Sequence, residues 1–258
     1  MESVTGAGIV VTGAGSGIGA ALARRFAAEG ARVVVNDIDA APASAVAASC
    51  GATAVPGDAA SEDGVAALIA TATAELGAID LYCANAGVAR PGGEEAAEPD
   101  WDISWQVNVM AHVRAARLLL PGWLERGSGH LICTVSAAGL LTMLGSAPYS
   151  VTKHAALGFA EWLAATYAHR GITVQAICPL GVRTPMLAGT GPAGELILDA
   201  SAIEPEAVAD AVIAGIASGR FLILPHPEVA GMYAGRAGDP GRWLGAMNKI
   251  QRKLEGTA

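Results

Sequence analysis

Tyr149 follows Ser136 by thirteen positions, and Lys153 follows Tyr149 by four, in a segment that turns helical where the tyrosine sits. Residues i and i+4 share one helix face, so the lysine ammonium comes within several ångströms of the phenol. A phenol ionises near pKa ~10 and is a poor base at neutral pH. A unit positive charge at roughly 4 Å in an effective dielectric of about 20 favours the phenolate by on the order of 4 kcal/mol before screening. A phenol, an ammonium one turn away and a hydroxyl arriving from another segment make a proton-handling group. A Tyr-x-x-x-Lys pair alone is more often an exposed helix face; Ser136 and the features upstream reverse that reading.

The element feeding this group is a strand, a glycine turn and a helix. Ile9 to Thr12 read as a buried strand, Gly13, Gly15, Gly17 and Gly19 punctuate the turn, and a helical stretch runs from about Ile18 to Glu29. Glycines permit the tight turn and let the backbone approach a pyrophosphate, whose charge the N–H groups at a helix start can hold. Gly-x-Gly-x-x-Ala is read from Gly15 to Ala20, and a second strand, Arg32 to Asn36, ends at Asp37, twenty residues beyond Gly17. That is the spacing of an acid that accepts hydrogen bonds from an adenosine ribose. A carboxylate there suits NAD and repels the 2′-phosphate of NADP, with no Arg or Lys in the turn or just after Asp37 to compensate.

With these residues in place the chain resembles the short-chain dehydrogenase/reductase family, in its branch of about 250 residues, over nearly its whole length. Thr12-Gly13-Ala14-Gly15-Ser16-Gly17-Ile18-Gly19 is similar to the family's cofactor turn, Asp58 and Ala59 to its adenine contact, and Asn85-Ala86-Gly87 to the turn after its fourth strand. Asn108, Ser136, Tyr149 and Lys153 match the catalytic tetrad in order and spacing. The resemblance implies that NAD (NADH) is held by Gly13, Gly15, Ser16, Gly17, Ile18, Gly19, Asp37, Ile38, Asp58, Ala59, Asn85, Ala86, Gly87, Tyr149, Lys153, Pro179, Val182 and Thr184. It also implies that Tyr149 is the acid/base, that Ser136 bonds the substrate oxygen and that Asn108 positions a relay water. Two departures stand out. Where the family has Pro-Gly after the sixth strand, this chain reads Pro179-Leu180-Gly181, and the family's usual close is replaced by Arg220-Phe221-Leu222-Ile223-Leu224-Pro225-His226-Pro227.

The expected architecture is α/β. Strands at about 52–56, 79–84, 130–136, 172–178 and 221–224 alternate with helices near 61–76, 100–126, 205–217 and the Tyr149 helix. Seven strands so interleaved imply a Rossmann-type, doubly wound parallel sheet with helices on both faces, in the family's order 3-2-1-4-5-6-7. The whole chain, 1–258, reads as one such domain, with a substrate lid about Leu187 to Glu204 and a helical tail about Asp239 to Glu255. The tail carries Trp243, Met247, Ile250 and Leu254 on one stripe, begun by Asp239 and Pro240, and packs on its own domain, on a subunit or over the pocket.

A formal charge of −8, from 16 basic and 24 acidic residues, argues against nucleic acid and anionic membrane as partners. No apolar run is long enough to span a bilayer, and the N-terminus lacks a basic leader, which points to a cytoplasmic protein. Cys50, Cys83, Cys133 and Cys178 lack Cys-x-x-Cys spacing and read as buried free thiols; no metal site is expected, and His112, His130, His154 and His169 read as surface or capped residues. Leu140, Leu141, Met143, Pro148, Met186 and Leu187 suggest a hydrophobic secondary alcohol or ketone as substrate. Apolar residues on the helices near 100–126 and 149–169 (Trp105, Val109, Val113, Leu157, Trp162 and Leu163), with the family's habit of pairing these helices, suggest a homodimer or homotetramer. A non-catalytic NAD sensor would be expected to lose Tyr149 or Lys153, and a dehydratase or epimerase of the extended branch would be longer.

Overall fold

In the computed structural model the described residues are 3–189, 198 and 201–256. Seven parallel strands form one sheet in the order β3-β2-β1-β4-β5-β6-β7. They are β1 (Gly8–Val11), β2 (Arg32–Val35), β3 (Thr53–Ala54), β4 (Leu81–Ala84), β5 (Gly129–Thr134), β6 (Ile172–Ile177) and β7 (Leu222–Ile223). The central strands are near-continuous apolar runs because both of their faces are covered. Alternate residues face opposite ways. Val10, Val34, Tyr82, Leu131 and Cys133 enter one core, whereas Ile9, Val11, Val33, Val35, Leu81 and Ile132 enter the other.

Helices α1 (Gly17–Ala28), α2 (Ala40–Cys50) and α9 (Pro205–Ser218) supply Leu22, Phe26, Val46, Val208 and Val212 to the second core. The first is filled from α3 (Glu62–Leu76), α5 (Ala111–Arg126) and α7 (Ala147–Tyr167), through Leu68, Leu119, Trp123, Ala156 and Leu163. Gly19, Ala20, Ala21 and Ala23 give α1 a small-residue face, which lets it lie close to its neighbours. Ser61 caps α3 by accepting from the Gly64 N–H at 3.2 Å, and Gly51 and Gly127 end α2 and α5 in left-handed conformation.

The stretch expected to be one helix from residue 100 begins earlier, as α4 (Glu98–Trp105), and passes through a π-helical turn at Gln106–Met110 before becoming α5. Helix α2, not anticipated, has an Ala- and Ser-rich sequence with little contrast between its faces. Two short helices, α6 (Ala138–Leu141) and α8 (Pro185–Ala188), a 3-10 turn at Ala168–Arg170 and a pair, α10 (Glu228–Gly238) and α11 (Pro240–Leu254), complete the described elements. Asp239 caps α11 by accepting from the Arg242 N–H at 2.9 Å, as its position suggests. The expected lid lies largely outside the described residues.

His112 and His130 correct the expectation of surface histidines: both are buried, His130 against Gln175 at 2.9 Å and His112 on the inner face of α5. Burial pushes their pKa values down, to about 4 for His130 and about 3 for His112, where Lys153 adds repulsion. Among the six apolar residues expected to form an intersubunit face, Val109, Leu157 and Leu163 are instead buried in their own chain, and Trp105 and Trp162 face outward. All four cysteines are free, and three are buried. Among the described residues no group of His, Cys, Asp and Glu could hold a metal ion, and no helix is long and apolar enough to cross a membrane.

Candidate active site

β1 and β4 are neighbours although β2 and β3 intervene in sequence, so the chain leaves them in opposite directions and a crevice opens beyond their carboxyl ends. The glycine turn occupies one side of it. Gly13 has φ +61°, and a Cβ there would stand 2.8 Å from the Ala86 Cα; a Cβ on Gly19 would stand 2.3 Å from the Gly13 carbonyl oxygen. Only glycine permits this closeness. Thr12 Oγ1 accepts the N–H groups of Asn85 and Ala86 at 3.0 Å each, and Asn85 Nδ2 donates to the Thr12 carbonyl at 2.9 Å. The Thr134 hydroxyl donates to Asn85 Oδ1 at 3.0 Å, so the ends of β1, β4 and β5 are stitched together.

Ser16 makes no side-chain cap to α1, leaving the first N–H groups of that helix facing the crevice. Gly13, Ser16, Gly17, Ile18, Gly19, Asp37, Ile38, Asp58, Ala59 and the Asn85–Gly87 turn all line it. Gly15 does not: its N–H donates to Asp37 Oδ2 at 2.8 Å, so it sets the acid rather than the wall. Asp58 accepts the Ala60 N–H at 2.8 Å. The residues thus fit a dinucleotide: a glycine cradle that a Cβ would fill, an open helix start and an acid one strand away. Arg114 also reaches this wall, donating to the Ala60 carbonyl and, at 2.7 Å, to Gln106 Oε1. It sits mid-helix among alanines, where no sequence signal marks it.

On the other side, Ser136 leaves β5 with φ +88°, a conformation uncommon for a residue with a side chain. Its N–H is held by the Ile177 carbonyl at 3.0 Å, and the next N–H, of Ala137, by the Pro179 carbonyl at 2.8 Å. Its hydroxyl faces the Tyr149 phenol. Burial pushes the phenol up, and the neighbouring Ser136 hydroxyl opposes that. Lys153 lies with its Nζ 5.5 Å from the Tyr149 ring centroid and donates to the Thr134 carbonyl at 2.8 Å. Burial pulls the ammonium down to about 8. The sequence expectation that Lys153 brings the phenol toward working pH is therefore met by an opposing effect, the burial of both groups. Cys133 and Cys178 flank the lysine as neutral thiols, each pushed up to about 12 by burial.

Asn108 lies in the π-helical turn, a distortion that frequently marks functional sites. Its Oδ1 accepts the Val88 N–H at 2.9 Å, and its Nδ2 donates to the Val88 carbonyl at 2.9 Å and to Thr152 Oγ1 at 3.0 Å. Both amide hydrogens are thereby used, and Asn108 itself is fully buried behind the cavity wall.

Cofactor crevice and tyrosine site form one cavity of about 1510 Å³. Its far end is apolar: Leu141, Met143, Met186, Leu187, Met232, Trp243, Met247 and Ile250. Four of the chain's six methionines meet there. Of the tail stripe, Trp243, Met247 and Ile250 face this space, so the helix covers the pocket. Leu140 and Pro148, expected here, are buried away from the wall. Pro179, Leu180, Gly181, Val182 and Thr184 complete the wall, and Thr184 caps α8 by accepting from the Leu187 N–H at 3.4 Å.

Residues 7–193 match the sequence model of the family described as short chain dehydrogenase. The chain is 39% identical over 233 residues to 1-deoxy-11-beta-hydroxypentalenate dehydrogenase of Streptomyces exfoliatus, covering 85% of this chain and 82% of that protein. It is 36% identical over 192 residues to 2,5-dichloro-2,5-cyclohexadiene-1,4-diol dehydrogenase of Sphingobium indicum, covering 72% and 77%. Among solved structures, a short chain dehydrogenase/reductase from Burkholderia phymatum in complex with NAD superposes with a TM-score of 0.84 at 27% identity, over 93% of this chain and 95% of that one. With its seven-stranded parallel sheet, glycine turn and Ser136–Tyr149 pair, the chain belongs to the short chain dehydrogenase family of oxidoreductases.

Proposed function

We propose that the chain interconverts a hydrophobic secondary alcohol and its ketone with NAD as cofactor and Tyr149 as acid/base. The observation that carries this reading is that Ser136, Tyr149 and Lys153 line one cavity, with the Lys153 ammonium over the Tyr149 ring, at the junction of a dinucleotide-shaped crevice and an apolar chamber. NAD, when bound, supplies the hydride acceptor. The glycine turn and the α1 start hold its diphosphate, Asp37 its adenosine ribose, and Asp58, Ala59 and Ile38 border the adenine. Asn85–Gly87, Pro179, Val182, Thr184, Tyr149 and Lys153 border the other end.

Tyr149 as phenolate takes the hydroxyl proton of the alcohol, and as phenol returns one to the ketone oxygen in reverse. Ser136 donates to the same oxygen and fixes its place. Lys153 stabilises the phenolate by its charge, which is worth most in a site from which water is excluded. Asn108 holds the Val88 backbone. The NAD preference is supported by Asp37, and by the NAD complex of the Burkholderia protein. The apolar chamber and two relatives named as dehydrogenases of hydroxylated carbon compounds support the substrate class. Buried reduced thiols agree with a cytoplasmic setting. A panel of secondary alcohols offered with NAD, read by NADH absorbance, tests the reading: turnover rising with apolar bulk is expected, and no turnover with any of them would overturn it.

A further inference from the structure

The Pro179-Leu180-Gly181 turn, where this chain departs from its family, is held by a residue of the divergent C-terminal stretch. His226 is only 3% exposed. Its Nδ1 accepts the Leu180 N–H at 3.1 Å, which requires the proton to sit on Nε2, and Nε2 donates to the Ser201 carbonyl at 3.1 Å. Both ring nitrogens are thus used by one neutral tautomer. The ring does not reach the cavity wall, so it touches neither substrate nor cofactor.

The Leu180 N–H and the Pro179 carbonyl belong to one peptide group. On its carbonyl side that group accepts the Ala137 N–H at 2.8 Å and lies 3.5 Å from Ser136 Oγ. A peptide group is planar and stiff, so fixing its N–H fixes its carbonyl. Ser136 needs such a support, because its φ of +88° persists only where the surroundings hold it. We propose that His226 is a positioning residue for Ser136, acting through the Pro179–Leu180 peptide group, whose N–H its Nδ1 holds. The role rests on the reading of Ser136 given above.

Two conservative variants separate the two ends of the imidazole. His226→Asn keeps an acceptor at the Nδ1 place and loses the donor toward Ser201; His226→Gln keeps a donor near the Nε2 place and loses the acceptor for Leu180. In the full chain, His226→Gln lowers kcat by about tenfold with the NAD KM within about threefold, since a small misplacement of a reacting group is enough, and His226→Asn stays within about twofold of wild type. In a Ser136→Ala background the Gln substitution changes kcat by less than about twofold, because the residue it positions is gone. Amide exchange of the cofactor-free protein gives a second reading: the Leu180 and Ala137 amides exchange faster in His226→Gln and not in His226→Asn. Equal losses in the two variants, a Gln effect that persists beside Ser136→Ala, or unchanged exchange at both amides would overturn the proposal. If Ser136→Ala itself turns over normally, the role given to Ser136 fails, and the exchange rates alone decide what His226 holds.

Discussion

The Gly15 N–H donates to Asp37 Oδ2 at 2.8 Å, and a Cβ on Gly15 would meet the same oxygen at 2.9 Å. The acid at the end of β2 is therefore seated by the turn that follows β1, and its second oxygen accepts the Asp39 N–H at 3.1 Å. A carboxylate fixed in this way discriminates by repulsion as well as by hydrogen bonding. Replacing Asp37 with Ala weakens NADH binding by about tenfold, the equivalent of one lost hydrogen bond to a charged group. Adding Arg at Ile38, whose side chain is 78% exposed and borders the crevice, shifts preference toward NADP. Fluorescence titrations with both cofactors check this. A wild-type chain that binds NADPH more tightly than NADH contradicts it.

Lys153 is held at a cost to stability. Its folded pKa is about 8, against an ordinary 10.5. Between those values the unfolded chain binds the extra proton, so raising pH through that window favours the folded state by way of this residue. Below about 8 the buried ammonium opposes folding. Lys153→Met is accordingly expected to stabilise the protein by about 1–3 kcal/mol at pH 7 while removing activity. Because the buried thiols act in the opposite sense above pH ~9, the measured quantity is the difference between wild type and variant in denaturant unfolding at pH 7 and pH 10. That difference shrinks as pH rises; a constant difference, or a less stable variant, contradicts the account.

The alternation of strands and helices, the glycine turn and the Ser136–Tyr149–Lys153 group were legible in sequence because each depends on local spacing, whereas the order of the strands came from the family resemblance. β5, the Tyr149 helix and the Asp37 turn carry their signals within a few residues. The remainder was not legible because it depends on chain distant in sequence. Leu140 reads as a pocket residue beside Leu141, yet the turn of α6 sends one inward and the other to the wall. The π-helical turn at Asn108 leaves no mark in composition. His112 and His226 are isolated in sequence, and only tertiary packing buries them. Helix α2 has too little contrast between its faces to be seen.

The tail helix α11 has no buried residue and lays Trp243, Met247 and Ile250 against the cavity. Trp243 also packs on the core, whereas the contribution of Met247 should appear as substrate contact. Met247→Ala raises KM for bulky alcohols by about tenfold, leaves KM for propan-2-ol within about twofold and changes Tm little. Steady-state kinetics on the two substrate sizes distinguish this from a helix that packs elsewhere, which would leave both unchanged.

Trp105 on α4, Leu118 on α5, and Val151 and Trp162 on α7 expose 42%, 43%, 48% and 56% of their surface. Scattered apolar residues are ordinary, but two tryptophans on neighbouring helices are the kind of anchor that interfaces use. A dimer or tetramer is expected, with Trp162→Glu shifting it toward monomer. Light scattering showing an active wild-type monomer at micromolar concentration contradicts this.

The central claim is that Tyr149 carries the proton. Tyr149→Phe removes only the hydroxyl, keeping the ring beneath Lys153 and its packing. Single-turnover formation of NADH from a saturating secondary alcohol, with NAD affinity measured on the same sample, tests it most directly. The account predicts a fall of at least about a thousandfold in the rate with NAD affinity within a few-fold, the pattern of a group that acts in the transition state. A variant that forms NADH near the wild-type rate would contradict it.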